Sequence, residues 1–203
     1  RSATRRIRSA SATDDPPYFC TTSATVFPFR AGLPSRIRGR ATPPFRAFCP
    51  GNVDAMPQPP ADRDAATRVP LHPPIAARWS PRAFDPHAEV STEQVTALLE
   101  AARWAATWGR RQPVRFVVGV RRAGAQRTFD TLAGLLNRGN SYATAAGALI
   151  LVCADEGDDE NTALYSAVDA GAAEANLIIE AVSRGLVTHP MAGFDVEGAR
   201  AAF

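Results

Sequence analysis

Lysine is absent from this chain of 203 residues, and all 23 basic side chains are arginine. Alanine and proline are abundant beside them, which marks coding bias and not a function. Cysteine is scarce: Cys20, Cys49 and Cys153 are three, an odd number, with no CxxC pair. That excludes the usual spacing signals for a zinc site or a disulfide framework and makes a reducing cytoplasm the default compartment. Long apolar runs are missing too. Ala143 to Ala154 spans only twelve residues, well short of the roughly eighteen needed for a membrane helix, so it reads as a buried element. Cys153 inside it reads as a small buried hydrophobe.

Charge is unevenly spread. Residues 1–55 hold nine Arg against three acids, and residues 56–203 hold fourteen Arg against seventeen acids, so the net +3 divides into +6 and −3. The first stretch mixes Arg, Ser, Thr and Pro with short aromatic islands such as Tyr18-Phe19 and Phe27-Pro28-Phe29, without sustained periodicity. Three origins fit it: an organellar transit peptide, a basic arm for nucleic acid, or a coding frame extended upstream of a true start at Met56. The shift in charge balance at Met56 favours the third, then the transit peptide. The expectation is a disordered basic and proline-rich head over 1–68, followed by one domain over 69–203.

Ser91-Thr92-Glu93-Gln94 offers a capping box ahead of Val95, Leu98, Leu99 and Ala102 at helical spacing, which predicts a helix over 92–106. Arg115 to Val120 is short and β-branched after Pro113 and reads as a strand. Apolar residues from Gln126 to Leu136 return at helical spacing. A second strand is expected at 148–153. Thr162 to Arg184 then forms a long helix rich in small residues, stopped by Gly185. Such a helix packs closely on more than one face and suits a central or subunit-interface position. The order indicates a mixed α and β protein.

Three segments carry candidate chemistry. Arg78-Trp79-Ser80-Pro81-Arg82 sets two guanidinium groups and a hydroxyl close together, a set suited to a phosphate or a carbonyl-rich ring, although on composition alone a solvated basic turn is the better account. Trp108-Gly109-Arg110-Arg111-Gln112-Pro113 lies between a helix and a strand, where a loop can aim side chains at a ligand, or simply turn. Thr188 to Asp195 brackets a short segment between Pro190 and Gly193 ahead of Asp195, an N-cap candidate for 196–202. His189 has no carboxylate or nucleophile pattern around it and reads as a structural or pocket-edge residue.

Taken in order, Arg-x-Ser-x-Arg-x-Phe at 78–84, Leu98 to Ala105, and Arg111-Gln112-Pro113 before Arg115-Phe116-Val117-Val118 resemble the nitroreductase family. Asp169-Ala170-Gly171 to Asn176-Leu177, Gly185-Leu186 and Met191-Ala192-Gly193-Phe194-Asp195 continue the resemblance over about 75–203. It implies an α+β fold, an α-β-α sandwich with a central, mainly antiparallel sheet, assembled as an intertwined homodimer with FMN at the subunit interface. Arg78, Trp79, Ser80, Arg82, Arg110, Gln112, Met191, Ala192 and Gly193 are the implied cofactor-binding residues. Arg78, Ser80 and Arg82 match contacts to the flavin's phosphate, ribityl chain and ring. Ala192 and Gly193 match the segment whose backbone amide faces the flavin N5.

Three positions depart from the family pattern. Arg110 stands where asparagine is usual, Trp108 replaces a small residue, and Val114 replaces the tryptophan that commonly follows Gln-Pro. The chain also stops in the helix after the Gly-Phe-Asp turn, where family members continue, so a C-terminal truncation is expected. The implied activity is transfer of reducing equivalents from NAD(P)H through FMN to a small electron-poor acceptor such as a nitroaromatic or a quinone, with no catalytic acid or base and no metal. A flavin-binding protein without turnover, or a nucleic-acid-binding arm on an inactive domain, are the alternatives.

Overall fold

The structure is a computed structural model that describes residues 18–28 and 65–203, apart from Arg110, Glu156 and Asp158. Its elements are strand β1 (Tyr18–Pro28), helix α1 (Pro73–Ala77), α2 (Thr92–Arg103), β2 (Val114–Val120), α3 (Gln126–Gly134), a 3-10 segment (Arg138–Ala145), β3 (Ala148–Asp155), α4 (Glu160–Ser183), β4 (Leu186–Met191) and α5 (Val196–Ala202). The strands form one sheet in the order β2-β3-β1-β4, with every pairing antiparallel.

The capping box forms as written in the sequence. Ser91 Oγ accepts from the Gln94 amide at 3.1 Å, and the Gln94 side chain accepts from the Ser91 amide at 2.9 Å, so two backbone donors at the start of α2 are satisfied reciprocally. α2 ends at Arg103, a turn earlier than expected, and Trp104 serves as its C-cap. α4 begins two residues before the expected start because Asp159 caps it, accepting from the Thr162 amide at 3.0 Å. Its 24 residues make it about 36 Å long.

β3 divides the core by simple alternation. Leu149, Leu151 and Cys153 face a cluster with Phe129 and Leu132 of α3, Ala143 of the 3-10 segment and Ala199 of α5. Ile150 packs with Leu98 and Ala102 of α2 and with Ala173 and Leu177 of α4, and Val152 and Ala154 pack with Ala170. Helices therefore cover both faces of the sheet. Because both faces are dry, β3 reads as an unbroken apolar run instead of alternating with polar residues. Each fully buried Leu or Ile here contributes about 1.5–3 kcal/mol.

Two strands were not expected. β4 contains Pro190, which argues against a strand, but β4 is the outer strand of the sheet, where a missing backbone donor costs little. β1 lies inside the head, for which no regular structure was expected, and it pairs with β3 on one side and β4 on the other. Its sequence, Tyr-Phe-Cys-Thr-Thr-Ser-Ala-Thr-Val-Phe-Pro, is rich in aromatic and β-branched residues. That strand propensity is hidden in the sequence because the segment lacks strict alternation. The rest of the head falls outside the described residues. Among the described residues no helix is long and apolar enough to cross a membrane.

Candidate functional site

Arg78 is the C-cap residue of α1, in an extended conformation that ends the helix. The chain then runs through Trp79, Ser80, Pro81 and Arg82. Arg78 and Arg82 are exposed, Ser80 is half-buried and Pro81 is buried. The Arg78 guanidinium donates to Ser80 Oγ at 3.0 Å, which orients both groups. Among the described residues neither Arg78 nor Arg82 is matched by a carboxylate.

A second candidate segment is the turn after β4. Met191 is buried, Ala192 is exposed, and Gly193 is half-buried. The Gly193 carbonyl accepts from the Asn137 amide at 3.0 Å and from Asn140 Nδ2 at 2.9 Å. A Cβ on Gly193 would lie 2.7 Å from Asn140 Nδ2, so glycine permits this close approach. Asp195 caps α5 by accepting from the Gly198 amide at 2.9 Å, as its position in the sequence suggested.

His189 and Tyr142 connect the two segments. His189 Nδ1 lies 2.7 Å from the Pro81 carbonyl, and the Tyr142 hydroxyl lies 3.1 Å from Nε2 and 3.2 Å from Nδ1. The Tyr142 ring packs against Phe84 with centroids 5.9 Å apart. Burial pushes the Tyr142 phenol up from its usual range, against the opposing pull of the Arg82 guanidinium. The structure thus ties the segment carrying Arg78, Ser80 and Arg82 to the turn of Met191, Ala192 and Gly193 through one hydrogen-bonded hub. Among the described residues no group of three or more His, Cys, Asp or Glu is arranged to hold a metal ion.

The loop from Trp108 to Pro113 is tied elsewhere. The Trp108 amide donates to the buried Asp169 carboxylate, Arg111 donates to Thr162 Oγ1 at 3.0 Å, and Trp108 stacks on Tyr165 at 4.8 Å between centroids. Gln112 lines a cleft of about 320 Å³ with Leu99, Arg103, Val114, Phe116 and Ala173. None of the six residues around the hub borders that cleft, so within one chain Gln112 and the hub are not brought into one pocket. Arg110 lies outside the described residues. Asn140, Tyr142 and Asp169 received no role from the sequence, because their partners stand 47 to 61 residues away and no short motif links them.

The sequence profile of the nitroreductase family matches residues 75–203. The chain belongs to the nitroreductase family. Within it, a protein of Mycolicibacterium smegmatis, named "Uncharacterized 15.4 kDa protein in ask 5'region", is 72% identical over 90 residues, covering 41% of this chain and 60% of that one. Among solved structures, an oxidoreductase containing FMN is 29% identical with a TM-score of 0.50, covering 58% of this chain and 61% of that one. A nitroreductase in complex with FMN from Exiguobacterium sibiricum is 21% identical with a TM-score of 0.57, covering 68% of this chain and 81% of that one, and it shares the fold. The present nitroreductase-family chain spans about three fifths of the length of the first two. Its matched segment contains every residue of the hub and leaves out β1.

Proposed function

We propose that the chain is an FMN-dependent oxidoreductase that takes reducing equivalents from NAD(P)H and passes them to a small electron-poor acceptor, a nitroaromatic or a quinone. The observation that carries this reading is the pair Arg78 and Arg82, two guanidinium groups without a carboxylate among the described residues, held across one hub from the Ala192–Gly193 turn. Planar guanidinium forks suit a phosphate, and the family's solved relatives include proteins described as holding FMN. The residues present therefore fit the cofactor.

Arg78 and Arg82 are assigned the phosphate and the ring, with Ser80 on the ribityl chain. Ala192 and Gly193 present backbone to the ring. Trp79 and Met191 shape the pocket, and Arg110 and Gln112 complete it. When bound, FMN supplies the two-electron carrier, while the protein positions and polarises it.

Gln112 sits apart from the hub within one chain, which agrees with a pocket shared between two copies. The N-terminal half of α4 leaves Leu164 60% and Val168 59% exposed, beside Trp108 and Tyr165. An apolar patch of this kind suits a homodimer. The proposed flavin-binding unit spans 69–203, with β1 completing its sheet, and the proposed compartment is the cytoplasm.

The test is the absorbance spectrum of the purified protein, followed by anaerobic addition of NADH or NADPH. Bound flavin that bleaches on addition and recovers its colour with a quinone supports the reading. Yellow protein that stays yellow makes it a flavin carrier, and protein that takes up no FMN overturns it.

A further inference from the structure

His189 is anchored through one ring nitrogen. A carbonyl oxygen accepts and cannot donate, so the 2.7 Å contact with Pro81 places the proton on Nδ1. The Tyr142 hydroxyl lies 3.1 Å from Nε2 and 3.2 Å from Nδ1, against the ring as a whole and not aligned on one nitrogen. Asn140 Oδ1 lies farther from that hydroxyl, at 3.5 Å, while Asn140 Nδ2 is committed to the Gly193 carbonyl at 2.9 Å. The ring system is packed as well as bonded, with the Tyr142 and His189 centroids 5.3 Å apart. A bridge thus runs from Pro81 to His189, Tyr142, Asn140 and Gly193. It joins three stretches of chain that are separate in sequence.

We propose that His189, with Tyr142, is a positioning residue that sets the distance between the Arg78–Arg82 segment and the Ala192–Gly193 turn, and so fixes the two ends of the flavin site relative to each other. The inference rests on the FMN reading above. His189 grips Pro81 by its backbone, so the flanking Ser80 and Arg82 remain available for a ligand. Tyr142 places its hydroxyl between the His189 ring and Asn140 Oδ1, which lies 3.5 Å away. Arg82 is the charged group that acts on Tyr142. Neither residue is asked to touch the cofactor, and both act through the backbone segments they hold.

The test compares the full chain with His189→Ala, His189→Gln and Tyr142→Phe in two measurements. The first is amide hydrogen exchange without added flavin. His189→Ala is expected to speed exchange in both 80–84 and 192–194 while leaving α2 and α4 protected. His189→Gln, whose amide can donate to Pro81 and accept from Tyr142, should restore protection. The second is FMN titration, in which loss of the bridge should weaken binding about tenfold, since it removes neutral hydrogen bonds. The glutamine variant should return to within about threefold of the parent. Tyr142→Phe added to His189→Ala should cost little more, because the two act as one bridge. Unchanged exchange in either segment overturns the inference, as does faster exchange with unaltered FMN affinity. If the parent takes up no FMN, the flavin reading fails, and the positioning role toward flavin fails with it. That outcome is recognised in the parent, before any variant is made.

Discussion

The backbone N–H of Trp108 donates to both carboxylate oxygens of Asp169, at 3.1 and 3.0 Å, across 61 residues of sequence. Asp169 is only 5% exposed, so α4 holds a buried charge whose visible partner is the 105–113 loop. Removing the carboxylate leaves a donor unmatched at a packed junction. Asp169→Ala is expected to cost about 1–3 kcal/mol and to raise hydrogen exchange in the loop, with Asp169→Asn, which keeps one acceptor, losing less. Urea unfolding of the three proteins checks this, and equal midpoints would remove the tie from the account.

The Asp169 contact also shows where the sequence stopped being legible. Local rules worked at Ser91 and Gln94, where both partners of the capping box lie within one turn, and at Asp195, which caps α5. They worked for β3 because its apolar run has one explanation in a short segment. They failed at β4, where Pro190 hid an outer strand, and at β1, whose strand residues sit in a basic, proline-rich context. Arg78, Ser80 and Arg82 stand out in the sequence through their place in the family resemblance. Tyr142 and Asn140 do not, since a 3-10 segment has no strong pattern and their partners arrive only through folding.

Arg78 and Arg82 are exposed and lack carboxylates among the described residues, so their removal should leave the fold intact and act on the ligand. Charge-assisted hydrogen bonds are worth about 1.5–3 kcal/mol each, which corresponds to roughly tenfold to a hundredfold in FMN affinity for Arg78→Ala or Arg82→Ala. Arg127→Ala, at an exposed position on α3, is the control for lost charge. Flavin fluorescence titration measures all three. An FMN dissociation constant unmoved in both site variants would reassign the cluster to the surface.

Glu174 of α4 should set a pH dependence of stability. Burial pushes its carboxyl up to about 7, and its Oε1 has no hydrogen-bond partner among the described residues. A carboxyl held above its unfolded value of about 4.3 binds its proton more tightly in the folded state. It therefore favours the fold at low pH, and that contribution is lost as pH rises from the unfolded value through about 7. Glu174→Gln keeps the shape and removes the titration. Its melting temperature is expected to exceed that of the parent at pH 8 by a few degrees, since about 1 kcal/mol moves Tm by roughly 2–4 °C at this size. At pH 4 the difference should shrink. A pH-independent difference would mean that the carboxyl is not the cause.

Two glycines near the same helix should respond with opposite signs. Gly119 of β2 faces α3 so closely that a Cβ would collide with the Phe129 backbone, whereas a Cβ on Gly134, the last residue of α3, would meet nothing within 4 Å. Backbone cannot swing aside as a side chain can, so Gly119→Ala must push α3 away from the sheet. α3 contributes Phe129 and Leu132 to the core, at 3% and 6% exposure, and that packing is what the shift disturbs. The expected cost is about 1–3 kcal/mol or more, as for other overpacked sites. Gly134→Ala adds no contact and leaves the core alone. It reduces the freedom of the unfolded chain at a helical position, for a gain of up to about 1 kcal/mol. Denaturant midpoints with an unchanged slope would report both effects as stability. If both variants shift in the same direction, the close approach of α3 to β2 at Gly119 is not the contact that holds this helix against the sheet.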